Sequence, residues 1–91
     1  MTKLIKNGTV VSATGQHAAD VLIDGETIAA VLLPGTDAAI AAEAGAEQII
    51  DAKGKYVVPG GIDAHTHMEL PFGGTYASDT FETGSRAAAW G

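Results

Sequence analysis

The sequence predicts a mainly β chain that closes on a short strand, a long loop and a helix. Three observations carry that prediction. Short β-branched and aliphatic runs alternate with Gly-bearing turns from Lys3 to Leu33, Pro59-Gly60-Gly61 then interrupts the regular pattern, and a stretch with a helix-start signal, Asp79 to Trp90, follows a loop rich in Gly and Pro. A chain of 91 residues hides only about 60 to 65% of the surface its unfolded form exposes, so one small domain is the most it can build alone. Ala supplies much of the hydrophobic share of 46%, and aromatic residues make only 5%, so the expected core is lean. Cysteine is absent, which excludes a disulfide staple, a thiolate metal site and a thiol nucleophile, and with them a secreted mini-protein.

Each element follows from local chemistry. Leu4-Ile5-Lys6 and Thr9-Val10-Val11-Ser12 flank Asn7-Gly8, two residues that tolerate the positive φ of a type I′ turn, and the three together read as a β-hairpin. Gln16-His17-Ala18 reads as a turn-like stretch with His17 exposed. Asp20 to Ile23 and Thr27 to Leu32 flank Asp24-Gly25-Glu26, a second hairpin with Gly25 in the left-handed position. Pro34-Gly35 ends this antiparallel sheet. Asp37 to Ala44 is a short Ala-rich helix with Asp37 or Thr36 as N-cap and Gly45 as its stop. Glu47 to Asp51 and Lys55 to Val58 are two more strands around the turn Lys53-Gly54.

Beyond the Pro-Gly-Gly break, Ile62 to His67 reads as a short strand, Met68 to Ser78 as a loop and Asp79 to Trp90 as a helix. Asp79 and Glu82 have capping-box spacing, and Gly84, Ala87 and Ala88 give a small-residue face for close approach to a sheet. Phe81 and Trp90 are expected to pack rather than to bind a cofactor, although Trp90 stands beside the last residue and has little to bury against. Strand, loop and helix make half of a βαβ unit whose second parallel strand lies outside these residues, so the sequence reads as cut off.

Five Lys and Arg against 11 Asp and Glu leave a net charge of -6, which repels nucleic-acid phosphates and anionic lipid. The acidic residues are scattered, as on a solvated surface. No apolar leader follows Met1 and the longest apolar run, Ile28 to Leu33, is far short of a membrane span. The expectation is therefore a cytoplasmic chain with neither a nucleic-acid nor a membrane partner.

Residues i and i+2 of a strand point the same way, so a strand at Ile62 to His67 would present Asp63, His65 and His67 on one face. Neutral imidazoles are good ligands for zinc, iron, manganese or nickel, and two on a rigid strand can chelate one ion. The same spacing also describes an exposed or hydrogen-bonded histidine pair. Context favours the ligand reading, because ligands gather at the carboxyl ends of strands in parallel α/β folds and Met68 to Ser78 exceeds the usual strand-to-helix connection of about 2 to 6 residues. Against it, Pro71 and Gly73-Gly74 also suit a plain turn.

At these residues a family likeness emerges. Pro59-Gly60-Gly61-Ile62-Asp63 before His65-Thr66-His67 resembles the amidohydrolase superfamily in general. Met68-Glu69-Leu70-Pro71-Phe72 after it, and Asp79 to Gly91, resemble its dihydropyrimidinase and D-hydantoinase group. Ile5-Lys6-Asn7-Gly8, Asp24-Gly25 and Ile50-Asp51-Ala52-Lys53-Gly54 are similar to that group too, so the likeness covers nearly the whole chain. Thr80 departs from the second acidic residue often seen there, and Pro34 to Ala46 is unusually rich in Ala.

The resemblance implies an N-terminal piece of a much longer hydrolase, with residues 1–58 as strands of a β-sandwich and residues 59–91 as strand 1, substrate loop and helix 1 of a metal-dependent (β/α)8 barrel left incomplete. It makes His65 and His67 the first two ligands of a binuclear zinc centre. The other ligands, a carboxylated lysine, two histidines and an aspartate, come from later barrel strands. It places Leu70 and Phe72 against the exocyclic substituent of the substrate; Asp63 reads as a supporting residue behind the ligands, because a third ligand two residues before His65 would have to span too far down the strand.

The implied reaction is hydrolytic opening of a dihydropyrimidine or hydantoin to an N-carbamoyl amino acid. The implied partners are a small cyclic amide, the rest of the parent chain and, for the complete enzyme, three further copies in a homotetramer. No catalytic residue falls in this segment, and the chain alone is expected to be inactive. Alternatives are a segment of a non-catalytic dihydropyrimidinase-like structural protein, a segment of an allantoinase or dihydroorotase, which share the His-x-His opening, or a self-contained β-rich binding module.

Overall fold

The computed structural model describes residues 1–91, apart from the side chain of Phe72. The chain divides into two compact units, Met1–Gly60 and Gly61–Gly91. Strands outnumber helices, as expected, and no helix among the described residues is long and apolar enough to cross a membrane.

The first unit contains β1 (Thr2–Ser12), β2 (Gly15–Asp24), β3 (Thr27–Leu32), α1 (Asp37–Gly45), β4 (Gln48–Asp51) and β5 (Tyr56–Val57). Strand β1 is the hub. It pairs antiparallel with β2 on one side, and parallel with β4 and then β5 on the other, while β3 extends the sheet beyond β2.

Asn7-Gly8 does not turn the chain, contrary to the hairpin expected there. Strand β1 runs straight through it with a bulge: Ile5 lies opposite Val21 and Gly8 opposite Ala19, so β1 spends one more residue than β2 over the same span. Asn7 does take the left-handed conformation, with φ 66°. Tertiary contacts use that conformation differently. The Asn7 backbone N–H donates to Asp20 Oδ1 at 3.1 Å, and its side-chain Nδ2 donates to Asp51 Oδ1 at 3.0 Å. Gly8 is required by close approach, since a Cβ there would stand 2.5 Å from Val57 Cγ2 and 3.1 Å from Ala52 Cβ.

The turn joining β1 to β2 is Ala13-Thr14, with Ser12 opposite Gly15 and the Ser12 hydroxyl donating to the Gly15 carbonyl at 3.3 Å. His17 therefore lies within β2, opposite Val10, rather than in a turn; it is exposed, as expected. The second hairpin forms as read from the sequence, with Gly25 at φ 61°. Helix α1 is capped by Thr36, whose hydroxyl accepts from the Ala39 N–H at 3.3 Å, and Asp37 occupies the first turn. Lys6 on β1 reaches Glu43 on α1 at 2.6 Å, and this hydrogen bond is the main reason its ammonium pKa is raised.

Strands β4 and β5 do not form a hairpin around Lys53-Gly54. They are successive stretches of one edge, both parallel to β1, and residues 52–55 loop out opposite the β1 bulge. The loop is tied at both ends: the Ala52 N–H donates to the Lys6 carbonyl at 2.8 Å and the Thr9 N–H to the Lys55 carbonyl at 3.1 Å. The core is as lean as the composition implied: Leu4, Ala19, Val21, Ala39 and Ala52 are its buried apolar residues, and Leu4 alone is a large side chain with no exposure at all. Burial of such a side chain stabilises by about 1.5–3 kcal/mol.

The second unit contains β6 (Pro71–Phe72), β7 (Thr75–Tyr76) and α2 (Phe81–Trp90). Ile62 to His67 is not a strand, contrary to expectation. A strand exists by laddering with a neighbour, and none pairs with this stretch among the described residues; Ile62 is 94% exposed. The loop expected at Met68 to Ser78 holds a small hairpin instead. Gly73 and Gly74, at φ 60° and 82°, make its two-residue turn, the left-handed pair that a type I′ turn demands.

Helix α2 starts one residue later than its predicted capping box. The N-cap is Thr80: its hydroxyl accepts from the Thr83 N–H at 3.1 Å while the Thr83 hydroxyl accepts from the Thr80 N–H at 2.9 Å. Glu82 instead pairs with Arg86 at 2.9 Å, one turn on. The small-residue face receives Met68 rather than a sheet, since a Cβ on Gly84 would lie 2.8 Å from Met68 Cε. Phe81 and Trp90 do not pack; Trp90 is 88% exposed, in line with its lack of a surface to bury against.

Two outcomes are expected. Gly8→Ala should destabilise the first unit by about 1–3 kcal/mol in a denaturant melt, and by clearly less when Val57→Ala removes the clashing methyl. Asp51 is held below the usual 3.8 by the Asn7 hydrogen bond first and the Lys53 backbone N–H second. A depressed carboxyl contributes stability above its unfolded pKa and loses it as pH falls through the lower folded value. Asn7→Ala should therefore raise the Asp51 midpoint toward 3.8, read by carboxyl NMR titration.

Candidate metal centre

The chain entering the second unit is shaped by a local hydrogen bond. Asp63 Oδ1 accepts from the His65 N–H at 3.0 Å, the Asx-type closure that substitutes a side-chain oxygen for a backbone one. The bend leaves the His65 and His67 rings side by side, with centroids 5.2 Å apart and planes inclined by 50°. The pair expected from strand alternation is thus brought together by a bent segment. Both imidazoles are exposed, and Asp63 acts on the backbone of His65.

Each neutral imidazole offers one ring nitrogen as a lone-pair donor. Two such donors fit part of a metal's coordination sphere, and among the described residues no group of three or more His, Cys, Asp or Glu is placed to complete it. The donor set is compatible with zinc and short of a catalytic zinc site, which takes three protein ligands.

Beside the pair lies a mainly apolar pocket of about 350 Å³ lined by His67, Leu70, Thr75, Tyr76 and Ala77. Leu70, named from the sequence as a substrate contact, shares this pocket with a candidate ligand. Phe72, named with it, has its side chain outside the described residues. Thr75 and Tyr76 were missed, although Gly73-Gly74 between two pairs of sheet-compatible residues is a hairpin signal that folds both arms onto one site. Glu69 was missed as well: it is a non-glycine residue at φ 57° whose backbone N–H donates to the Asp79 carbonyl at 2.9 Å.

Residues 48–87 match the model of the amidohydrolase family. The chain is 60% identical over 88 residues to a D-hydantoinase of Streptomyces coelicolor, covering 97% of this chain and 18% of that protein. It is 56% identical over 91 residues to a D-hydantoinase of Geobacillus stearothermophilus, covering all of this chain and 18% of that protein. The crystal structure of the dihydropyrimidinase from Brevibacillus agri superposes with a TM-score of 0.73 at 52% identity, over 100% of this chain and 18% of that one. The chain thus spans about a fifth of the length of the relatives it matches.

Zinc titration of the 91-residue chain should perturb the NMR signals of His65 and His67 first and give a dissociation constant above about 1 µM, as two ligands of a four-ligand ion allow. Sub-micromolar binding would show that the chain holds a complete site.

Proposed function

We propose that this chain, which is similar over its whole length to D-hydantoinases and dihydropyrimidinases, is an N-terminal segment of a metal-dependent hydrolase that opens dihydropyrimidine or hydantoin rings to N-carbamoyl amino acids. The observation that carries the reading is the adjacent His65–His67 pair, with His67 on the wall of the same pocket as Leu70. In this reading residues 1–58 belong to a β-sandwich and residues 59–91 open a (β/α)8 barrel. The complete protein is a cytoplasmic homotetramer, and the chain alone does not turn over substrate.

His65 and His67 would hold one ion of a binuclear zinc centre through their ring nitrogens. A metal held there would supply Lewis-acid chemistry, able to lower the pKa of water and to polarise a carbonyl. The chain's own residues do the rest of the local work. Asp63 fixes the bend that sets the two rings together, as outer-shell groups orient ligands elsewhere. Leu70 offers an apolar wall to the ring substituent, so a cyclic amide binds with its polar edge toward His67. Two intact histidines speak against a non-catalytic dihydropyrimidinase-like segment, and Met68 to Thr75 speaks against allantoinase or dihydroorotase.

In the full-length protein that contains this chain, His65→Ala or His67→Ala should lower kcat/KM for hydantoin by more than about 100-fold, beyond the loss that outer-shell partners usually cause. Retained activity in both variants, or no ring opening by the unaltered protein, would refute the reading.

A further inference from the structure

We propose that Glu69 is a positioning residue for substrate discrimination: its carboxylate pins the start of α2 to the loop and so sets the wall that Leu70 presents to the substrate. The inference rests on the ring-opening reading above for its activity measurement. Three consecutive residues after the ligand pair are each locked by a different contact. Met68 fills the space over Gly84, and the Leu70 carbonyl accepts from the Ala77 N–H at 2.9 Å. Between them, Glu69 is held twice. Its backbone N–H donates to the Asp79 carbonyl at 2.9 Å, and its Oε2 accepts from the Phe81 N–H at 3.0 Å.

Phe81 is the first residue of α2, so its N–H is one of those a helix cannot satisfy internally, and a carboxylate is the favoured partner at that end. The helix is already capped by Thr80 through a different N–H, that of Thr83, so the Glu69 contact is not the cap itself. What it adds is a link across 12 residues of chain, and among the described residues it is the one side-chain hydrogen bond between the Met68–Ser78 loop and α2. Glu69 takes a left-handed backbone conformation that non-glycine residues rarely adopt, and adopts it where both its N–H and its carboxylate are engaged. Leu70 and Ala77, the next bonded pair, line the pocket with His67. Releasing Glu69 therefore loosens the Leu70 side of the pocket, while no hydrogen bond of His65 or His67 is removed with it.

The test uses Glu69→Ala and Glu69→Gln in the full-length protein, with kcat/KM measured for unsubstituted hydantoin and for a hydantoin carrying a bulky apolar substituent at carbon 5. The ratio of the two cancels the fraction of folded enzyme, which a merely structural role would change. Glu69→Ala should lower the ratio, substituted over unsubstituted, about fivefold, through the KM of the substituted ring, the size expected for losing one helix-end hydrogen bond. Glu69→Gln, whose amide oxygen accepts the same N–H, should stay within about twofold. An unchanged ratio in Glu69→Ala would overturn the proposal. Hydrogen exchange over residues 68–84 reads the clamp without substrate: faster exchange in Glu69→Ala and not in Glu69→Gln supports it, and equal exchange in all three proteins refutes it, even if the protein opens neither ring.

Discussion

Asp20 is the buried charge around which the first unit is arranged. It is 6% exposed, and a carboxylate removed from water requires donors in compensation. The donor it receives is the Asn7 backbone N–H, and that N–H points toward Asp20 because Asn7 steps into the left-handed region. The step inserts the extra residue of the β1 bulge. Gly8 follows it in close approach to Ala52 and Val57, and β4 and β5 are broken into two stretches at the same level. Asn7 then uses its side chain to hold Asp51 on the neighbouring strand. The Asn7–Asp20 contact thus sits where the pairing is interrupted on both edges of the central strand.

This arrangement explains what the sequence made legible and what it concealed. Where local chemistry had no competitor, the reading stands: Gly25 turns the β2–β3 hairpin and Thr36 caps α1. At Asn7-Gly8 the local signal was real, since Asn7 does take positive φ, but a type I′ turn and a bulge draw on the same residues. Only the partners Asp20, Asp51 and Val57, distant in sequence, decide between them. The separation of β4 from β5 is similar: the Lys53-Gly54 turn exists, with Gly54 at φ 75°, yet pairing with β1 makes its two flanks collinear rather than antiparallel.

In the second unit the errors had another origin. Ile62 to His67 reads as a strand in sequence, but a strand is a relation between two segments, and no described segment pairs with it. The histidine pair survived because its geometry has an independent local cause, the Asp63 carboxylate closing on the His65 N–H. The β6–β7 hairpin is signalled only by Gly73-Gly74, because its arms are two residues each and too short to show alternation. The helix starts one residue later than the acidic pair suggests because Thr80 and Thr83 have the same i,i+3 spacing, one residue after Asp79 and Glu82, and make the reciprocal bonds.

The contacts that shape the candidate site are short-range in sequence, and this bears on how a half-site can be preorganised. Asp63 to His65 spans two residues, Leu70 to Ala77 seven, Glu69 to Phe81 twelve and Met68 to Gly84 sixteen. Contacts of this kind close small loops and carry little entropic cost compared with pairing to a distant strand. The ligand pair and the pocket wall beside it can therefore hold their shape without a third metal ligand. Coordination is different, because two imidazoles bind zinc weakly however well they are aligned, and a catalytic zinc ion takes three protein ligands. Alignment is local and affinity is not, so a motif such as His65-Thr66-His67 reveals where a metal would sit long before it reveals how tightly one is held.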